Sequence, residues 1–362
     1  MNPARRRTLK AAAALALTPH LVRAQAARVP SALGYLPWWM APGWRELRLD
    51  GFERLVLFDA PIGPDGTLER RAWRDIAPGL AEHARSRGFG LELALTLMEE
   101  GDFERVFARA SARERLLVEC ARHLEDPMLA GLHLDIEGYS HASATAIAGF
   151  RASLAALHES ALAKGKTLSA FFPATDDFRA YDARAASRLA WWVAQLYDAH
   201  WAESQVTGPL VTRKDANAVG IARSLARLAA LGVPRSRTLL SVPLYGWQWP
   251  AASERPGAAA LGKARLLTYA ETPAALMPND RLAASALARA HGVRRDPERS
   301  PYYAYREDGQ WVQGWYEDLE SLEHKFVSER LRGYAGLAFF PLGYDGGEIV
   351  EPLLRWWRAP AA

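Results

Sequence analysis

Three ionisable residues alternate along one short apolar segment, and they carry the strongest chemical signal in the sequence. His133, Asp135 and Glu137 are separated by single aliphatic residues within the segment GLHLDIEGY. Because the side chains of a strand alternate between its two faces, these three residues share one face. Ionisable groups in a protein interior are costly unless they are paired or used in chemistry. Two neighbouring carboxylates repel each other, which raises one pKa and favours general acid catalysis.

Short β-rich runs alternate with longer segments of helical periodicity, and these elements must position the three residues. The predicted strands are 32–38, 54–58, 90–97, 131–137, 167–172, 192–197, 238–245 and 336–340. The predicted helices include 71–87, 103–124, 142–164, 218–231, 319–332 and 348–357. Alternation of this kind predicts a parallel sheet, and eight such units are typical of a (β/α)8 TIM barrel. A doubly wound sheet fits less well, since no strand is followed by a glycine-rich phosphate-binding turn.

Glu137 stands at the C-terminal end of the fourth predicted strand, where barrel enzymes place catalytic groups. A structural ion network at the barrel mouth is the alternative interpretation of the same residues.

The long gap between the seventh and eighth strands predicts an insertion at about residues 250–315, in which residues 251–290 have a helical pattern. Within it, Asp308-Gly309 between two aromatic runs predicts a β-hairpin.

The N-terminus of the chain has the pattern of an export signal. Residues 1–26 contain a basic start with Arg5-Arg6, a short apolar run and a small-residue site, Ala24-Gln-Ala26, which together predict a cleaved leader of twin-arginine type. We therefore expect a periplasmic or secreted protein whose working part, residues 27–362, is one domain. The leader holds five basic residues and no acidic ones, so its removal changes the net charge from +4 to −1. This charge argues against nucleic acid as a partner.

Several segments in the right order resemble glycoside hydrolase family 18, the chitinase family. The family signature D-G-x-D-x-D-x-E corresponds to residues 130–137, in which Asp135 and Glu137 match while Ala130 and His133 replace two aspartates. The aromatic segment GYLPWW at 34–39 resembles the family's first strand, and QLYD at 195–198 resembles its sixth. The segment VPLYG at 242–246 resembles its seventh strand, and the eighth ends in Phe340 where the family usually has tryptophan.

The resemblance implies hydrolysis of β-1,4 bonds beside N-acetylglucosamine, with the substrate's own acetamido group as nucleophile. It implies that Glu137 is the acid, that Asp135 orients the acetamide, and that Tyr197 binds the acetamide from the opposite wall. The expected substrate-binding residues are Tyr35, Trp39, His133, Gln195, Asp198, Tyr245, Trp315 and Phe340. This chemistry implies no metal and no cofactor. We expect a monomer whose partner is an oligo- or polysaccharide, with no membrane association after the leader is removed.

His133 leaves the activity open. It could donate a hydrogen bond to Asp135 or pair with it as a cation, either of which would slow turnover or change the specificity, or it could be a histidine hydrogen-bonded within the core. Three functions therefore remain: an exported hydrolase of an N-acetylglucosamine-containing glycan, a catalytically silent chitinase-like carbohydrate-binding protein, and a barrel hydrolase of another specificity.

Overall fold

Eight parallel strands close into a barrel in the computed structural model, which describes residues 28–360 except 70–72, 100, 140, 175–177, 214–218 and 273–281. The predicted leader lies outside the described residues. The barrel strands are β1 (Ala32–Pro37), β2 (Arg54–Pro61), β3 (Gly90–Leu97), β4 (Leu129–Ile136), β5 (Thr167–Phe172), β6 (Trp192–Ala194), β7 (Thr238–Pro243) and β14 (Gly336–Phe340). Neighbouring strands follow the chain order, and β14 closes the ring between β7 and β1. The predicted TIM barrel is confirmed.

Helices cover the outside of the barrel. They are α1 (Trp73–Arg87), α2 (Asp102–Phe107), α3 (Ala110–Glu125), α4 (Ala144–Ala163), α5 (Ala183–Ser187), α6 (Ile221–Ala230), α8 (Leu319–Leu331) and α9 (Val350–Arg358), while α7 (Ala284–His291) belongs to the insertion. The single helix predicted over 103–124 is two helices, because Arg109 between them has an extended backbone. The link from β1 to β2 contains a 3-10 helix, Ala41–Glu46.

A six-stranded sheet follows β7 and precedes α8. Its strands are β8 (Tyr245–Ala251), β9 (Arg265–Thr268), β10 (Leu282–Ala283), β11 (Arg294–Arg295), β12 (Pro301–Glu307) and β13 (Gln310–Trp315). The hairpin predicted at Asp308-Gly309 is confirmed, since β12 pairs antiparallel with β13 and both turn residues have positive φ angles, 49° and 82°. The helical pattern predicted over 251–290 is wrong for most of the described part, because Pro256-Gly257 interrupts the segment and residues 265–268 pair with β8 instead.

The period-two pattern of β4 separates its outer and inner faces as predicted. Leu134 and Ile136 face outward, and they border the same small void as Phe107 of α2 and Phe150 of α4. Gly131 faces inward, and a Cβ atom there would lie 2.1 Å from the hydroxyl oxygen of Thr167 on β5. Glycine at this position therefore leaves room for polar side chains inside the barrel, below His133 and Asp135.

Candidate active site

His133 is fully buried inside the barrel and belongs to a directed chain of hydrogen bonds. Its Nδ1 atom lies 2.8 Å from Ser169 Oγ, and its Nε2 atom lies 3.0 Å from the hydroxyl oxygen of Tyr35. Ser169 donates its only hydroxyl proton to Glu92 Oε2 at 2.7 Å, so it accepts from Nδ1–H. Burial lowers the pKa of His133 to about 3, so the ring is neutral and Nε2 accepts from Tyr35. Both nitrogens are thus occupied.

The structure therefore excludes both alternatives in which His133 interacts with Asp135. His133 neither donates to Asp135 nor carries a positive charge, and the third alternative, a histidine hydrogen-bonded within the core, describes its position. The chain ends on Glu92, which is buried and accepts a second hydrogen bond of 2.7 Å from Thr167. Burial raises the pKa of Glu92, and these two hydrogen bonds and the Arg54 guanidinium oppose the rise.

Asp135 and Glu137 meet at the C-terminal end of β4. Asp135 is only 5% exposed and Glu137 is half-buried. Burial raises the pKa of Asp135 to about 7, a hydrogen bond from Glu137 opposes the rise, and the charge of Asp59 adds to it. Glu137 and Asp135 are thus hydrogen-bonded to each other, and a hydrogen bond between two carboxyl groups requires a proton on one of them. The arrangement provides a protonated acid beside a carboxylate.

A second polar group lies beyond β6 and β7. The hydroxyl of Tyr245 donates a 2.6 Å hydrogen bond to Asp198 Oδ1. Burial raises the pKa of Asp198 to about 6, although this hydrogen bond opposes the rise. Asp198 has a φ angle of 67°, a strained backbone conformation for a residue other than glycine, and such strain is common at functional sites. Burial also raises the pKa of Tyr197 well above its usual range, and the nearby carboxylates Asp198, Asp135 and Glu137 reinforce this.

Aromatic rings surround these groups. Phe340 at the end of β14 contacts Tyr35, Phe58, Tyr197 and Tyr245, with ring centroids between 5.3 and 6.4 Å apart. The Tyr197 ring lies within 16° of parallel to that of Phe340. Trp39 packs edge-on against Phe58, and its indole nitrogen donates to the hydroxyl of Tyr344. Of these rings, Trp39 and Phe340 are partly exposed and can stack on the apolar faces of sugars, whereas Tyr35 is only 2% exposed.

The structure brings most of the predicted site residues together at the C-terminal end of the barrel. Tyr35, His133, Asp135, Glu137, Tyr197, Asp198, Tyr245 and Phe340 are linked through the contacts described above, and Trp39 lies at the edge of this set. Gln195 is also buried, but its contact is a separate one. Its side-chain oxygen accepts a hydrogen bond from the backbone amide of Ala174 at 2.8 Å.

Trp315 requires a correction. It is 1% exposed, stacks on Tyr302 at a centroid distance of 4.5 Å, and belongs to the core of the six-stranded sheet. With so little of its surface exposed, it offers no face to a sugar. The sequence pattern could not show this, because a buried aromatic residue and a sugar-stacking one look the same at the end of a strand.

Residues on two neighbouring strands were missed. Glu92 and Thr96 lie on the inner face of β3, and Asp59 lies on β2 with its Oδ2 atom accepting a 2.7 Å hydrogen bond from Thr96. The period-two rule that selected His133 would have found Glu92 and Thr96 in strand 90–97. Asp59 lies one residue beyond the predicted strand 54–58, at the end where site residues are expected.

Within the described ranges, no helix has the length and apolar character needed to cross a membrane. In the same part of the chain, no three His, Cys, Asp or Glu side chains are grouped so as to hold a metal ion.

The barrel, with its carboxyl pair and its aromatic surroundings, defines a site of the glycoside hydrolase class. The family model for glycosyl hydrolases family 18 matches residues 96–345. That range is well over half of the chain and includes both Asp135 and Glu137. The chain therefore belongs to glycoside hydrolase family 18. No curated protein sequence matches it.

Solved structures share the fold at low sequence identity. The C-terminal domain of a putative chitinase from Desulfitobacterium hafniense DCB-2 is 17% identical, with a TM-score of 0.74 over 91% of this chain and 100% of that domain. A family 18 N-acetylglucosaminidase from Paenibacillus barengoltzii is 18% identical, with a TM-score of 0.71 over 90% of this chain and 99% of that one. A chitinase-like agglutinin from Robinia pseudoacacia is 17% identical, with a TM-score of 0.71 over 91% and 100%.

Proposed function

We propose that this protein is an exported hydrolase that cleaves β-1,4 bonds beside N-acetylglucosamine in a glycan, with retention of configuration. The observation that carries the proposal is the hydrogen bond between Glu137 and Asp135 at the end of β4, surrounded by the rings of Tyr35, Tyr197, Tyr245 and Phe340. It presents a proton donor and a carboxylate to one side of a bound sugar.

The reaction would proceed through the substrate's own acetamido group. Glu137 donates its proton to the glycosidic oxygen, the acetamide oxygen bonds to C1, and the bond from C1 to the leaving sugar breaks. Asp135, as the carboxylate, accepts the N–H of the acetamide and stabilises the positive oxazolinium ion. Water then attacks C1, the bond from C1 to the acetamide oxygen breaks and restores the acetamido group, and the proton of the water passes to Glu137, which restores the acid. Tyr197 would bind the acetamide, and the pair formed by Tyr245 and Asp198 would hold that wall in place.

The charge of the chain without its predicted leader, −1, suits a neutral glycan, and the leader supports a periplasmic or secreted location. His133 supports low turnover, because a neutral ring bonded to Tyr35 and Ser169 cannot exchange a proton with Asp135. Carbohydrate binding without turnover is the second candidate, and the same loss of a carboxylate at residue 133 favours it.

A reducing-end assay on chitin oligosaccharides and bacterial cell-wall glycan tests the proposal. We expect hydrolysis by the wild-type protein and a loss of about 100-fold or more in Glu137→Gln, because general acid catalysis is worth at least that much. Glu125→Gln is the matched control, since Glu125 is exposed and pairs with Lys164. Equal cleavage by wild type and Glu137→Gln would refute the proposed mechanism, and binding of oligosaccharides without cleavage would support the second candidate.

A further inference from the structure

A buried ion pair lies at the start of α8, outside the group of site residues described above. The ammonium of Lys325 lies 2.8 and 2.6 Å from the two carboxylate oxygens of Glu317, and both side chains are fully covered. Burial raises the pKa of Glu317, and the charge of Lys325 opposes the rise. Such a pair often stabilises a fold no more than apolar side chains of similar size, because both ions must leave water. Its contacts therefore indicate what else it does.

Glu317 also binds a backbone amide of the segment that follows β6. Its Oε1 atom accepts a hydrogen bond of 3.2 Å from the amide of Val211. The carbonyl of Leu210, which belongs to the same peptide unit as that amide, accepts a hydrogen bond of 3.0 Å from the amide of Ala199. A single buried peptide unit thus connects Glu317 with Ala199.

A second contact closes the loop between Ala199 and Leu210. The Nδ1 atom of His200 donates a hydrogen bond of 2.9 Å to the carbonyl of Pro209. A Cβ atom at Gly208 would lie 2.4 Å from the His200 ring, so glycine is required for this packing. The two ends of the loop are therefore fixed to each other, and Glu317 fixes them to α8.

The strained residue Asp198 immediately precedes this loop. Its left-handed backbone, with a φ angle of 67°, persists only where surrounding contacts determine it. The amide of Ala199 is part of the peptide unit that follows Asp198, so its hydrogen bond to Leu210 fixes the orientation of that unit. The hydroxyl of Tyr245 fixes the carboxylate of Asp198 from the other side, at 2.6 Å.

We propose that Glu317 is a positioning residue that holds Asp198 in its left-handed conformation. This inference rests on the proposed function, since it adds a residue that acts on the same wall of the site. The carboxylate of Glu317 polarises the peptide unit between Leu210 and Val211, whose carbonyl then accepts more strongly from Ala199. Lys325 allows this carboxylate to remain ionised inside the protein.

Two double variants separate the hydrogen bond to Val211 from the ion pair. The first, Lys325→Met with Glu317→Gln, removes both charges and keeps a side-chain carbonyl oxygen for the amide of Val211. The second, Lys325→Met with Glu317→Met, removes that acceptor as well. The difference between the two variants therefore reports on the hydrogen bond alone.

The measurement is hydrogen exchange of the Ala199 amide, followed by NMR in the protein without glycan. We expect its protection factor to be about 10-fold lower in the second variant than in the first, because a buried donor then lacks its acceptor. The amide of Gln195, which donates to Phe172 at 3.1 Å, is the control and should be equally protected in both variants. Equal protection of Ala199 in the two variants overturns the proposal.

The wild-type protein allows a test that needs no variant, should the second variant fail to fold. If one peptide unit joins the two hydrogen bonds, the amides of Ala199 and Val211 open together, with protection factors within about 10-fold of each other. An Ala199 amide protected less than this would overturn the proposal, because Asp198 would then loosen while Glu317 still holds Val211.

Activity provides a second readout. We expect kcat/KM on chitin oligosaccharides to be about 10-fold lower in the second variant than in the first, since the Asp198 wall is then less well positioned. A purely structural role of Glu317 would leave the kcat/KM of the two folded variants equal, and that outcome would count against the proposal. Hydrogen exchange needs no turnover, so a wild-type protein that cleaves no glycan would refute the proposed function and leave the exchange result interpretable.

Discussion

The hydroxyl of Tyr35 donates a 3.0 Å hydrogen bond to Nε2 of His133, across the interior of the barrel from β1 to β4. This direction is fixed at the far side of the imidazole, where Ser169 accepts from Nδ1 and donates to Glu92. These hydrogen bonds explain why an uncharged histidine is accommodated inside the barrel. It also determines how the site should respond to substitution.

His133→Asp should destabilise the fold. The substituted carboxylate would lie near Glu92, whose Oε2 atom is 3.9 Å from His133 Nδ1, and would break the hydrogen bonds to Tyr35 and Ser169. We expect the free energy of unfolding, measured in urea, to fall by about 2–4 kcal/mol. Adding Glu92→Gln should recover at least half of this loss, because it removes one of the two charges. Equal stability of His133→Asp and wild type would contradict this account.

The double variant also allows activity to be compared without repulsion between the carboxylates at residues 133 and 92. If the loss of a carboxylate at residue 133 limits turnover, His133→Asp with Glu92→Gln should cleave chitin oligosaccharides faster than Glu92→Gln alone. A slower rate would indicate that the site works with His133 as it is.

Asp135→Asn should stabilise the protein most at alkaline pH. The pKa of Asp135 is raised to about 7 in the folded state. Its contribution to stability is therefore present below the unfolded value near 4 and is lost as the pH rises through 7. We expect the stability advantage of Asp135→Asn over wild type in urea to be larger at pH 8 than at pH 5 by at least about 1 kcal/mol. His133 contributes equally to both proteins, so its own titration cancels, and an advantage independent of pH would refute a raised pKa.

Tyr245→Phe should reduce turnover with little change in fold. It removes the 2.6 Å hydrogen bond to Asp198, whose carboxylate would then be harder to ionise. We expect kcat/KM to fall about 10-fold, which corresponds to about 1.4 kcal/mol, within the range for a hydrogen bond to a charged group.

Tyr303→Phe is the control for that variant. Tyr303 is buried in the six-stranded sheet and donates an equally short hydrogen bond, 2.6 Å, to Gln248. It should lose a similar amount of stability and keep its kcat/KM. Equal kinetic losses in the two variants would mean that the effect of Tyr245→Phe comes from general loosening of the fold.

Phe340→Leu should weaken glycan binding while Trp315→Phe should not. Phe340 contacts four rings around the site, whereas Trp315 is covered within the six-stranded sheet. Loss of an aromatic contact is worth about 0.5–1.5 kcal/mol, so Kd for a chitin oligosaccharide measured by calorimetry should rise about 2- to 10-fold in Phe340→Leu. A comparable rise in Kd in Trp315→Phe would mean that Trp315 belongs to the binding site.

The sequence by itself determined the barrel and the residues on the inner face of β4. Both depend on short-range patterns: period-two alternation places His133, Asp135 and Glu137 on one face wherever that strand lies, and repeated strand–helix units close a parallel sheet. The same patterns left the roles of Trp39, Gln195 and Trp315 open, since local spacing does not distinguish a covered ring or amide from an accessible one.

Only the tertiary structure decided which groups surround His133 and Asp135. Glu92, Thr96 and Asp59 reach the interior from strands that precede β4 by more than 30 residues, and Ser169 reaches it from the strand that follows. The neutral state of His133 and the raised pKa of Asp135 arise from burial and from these contacts between distant strands. Such effects depend on distances between side chains on different strands. Closure of the barrel sets these distances, so no sequence pattern within one segment contains them.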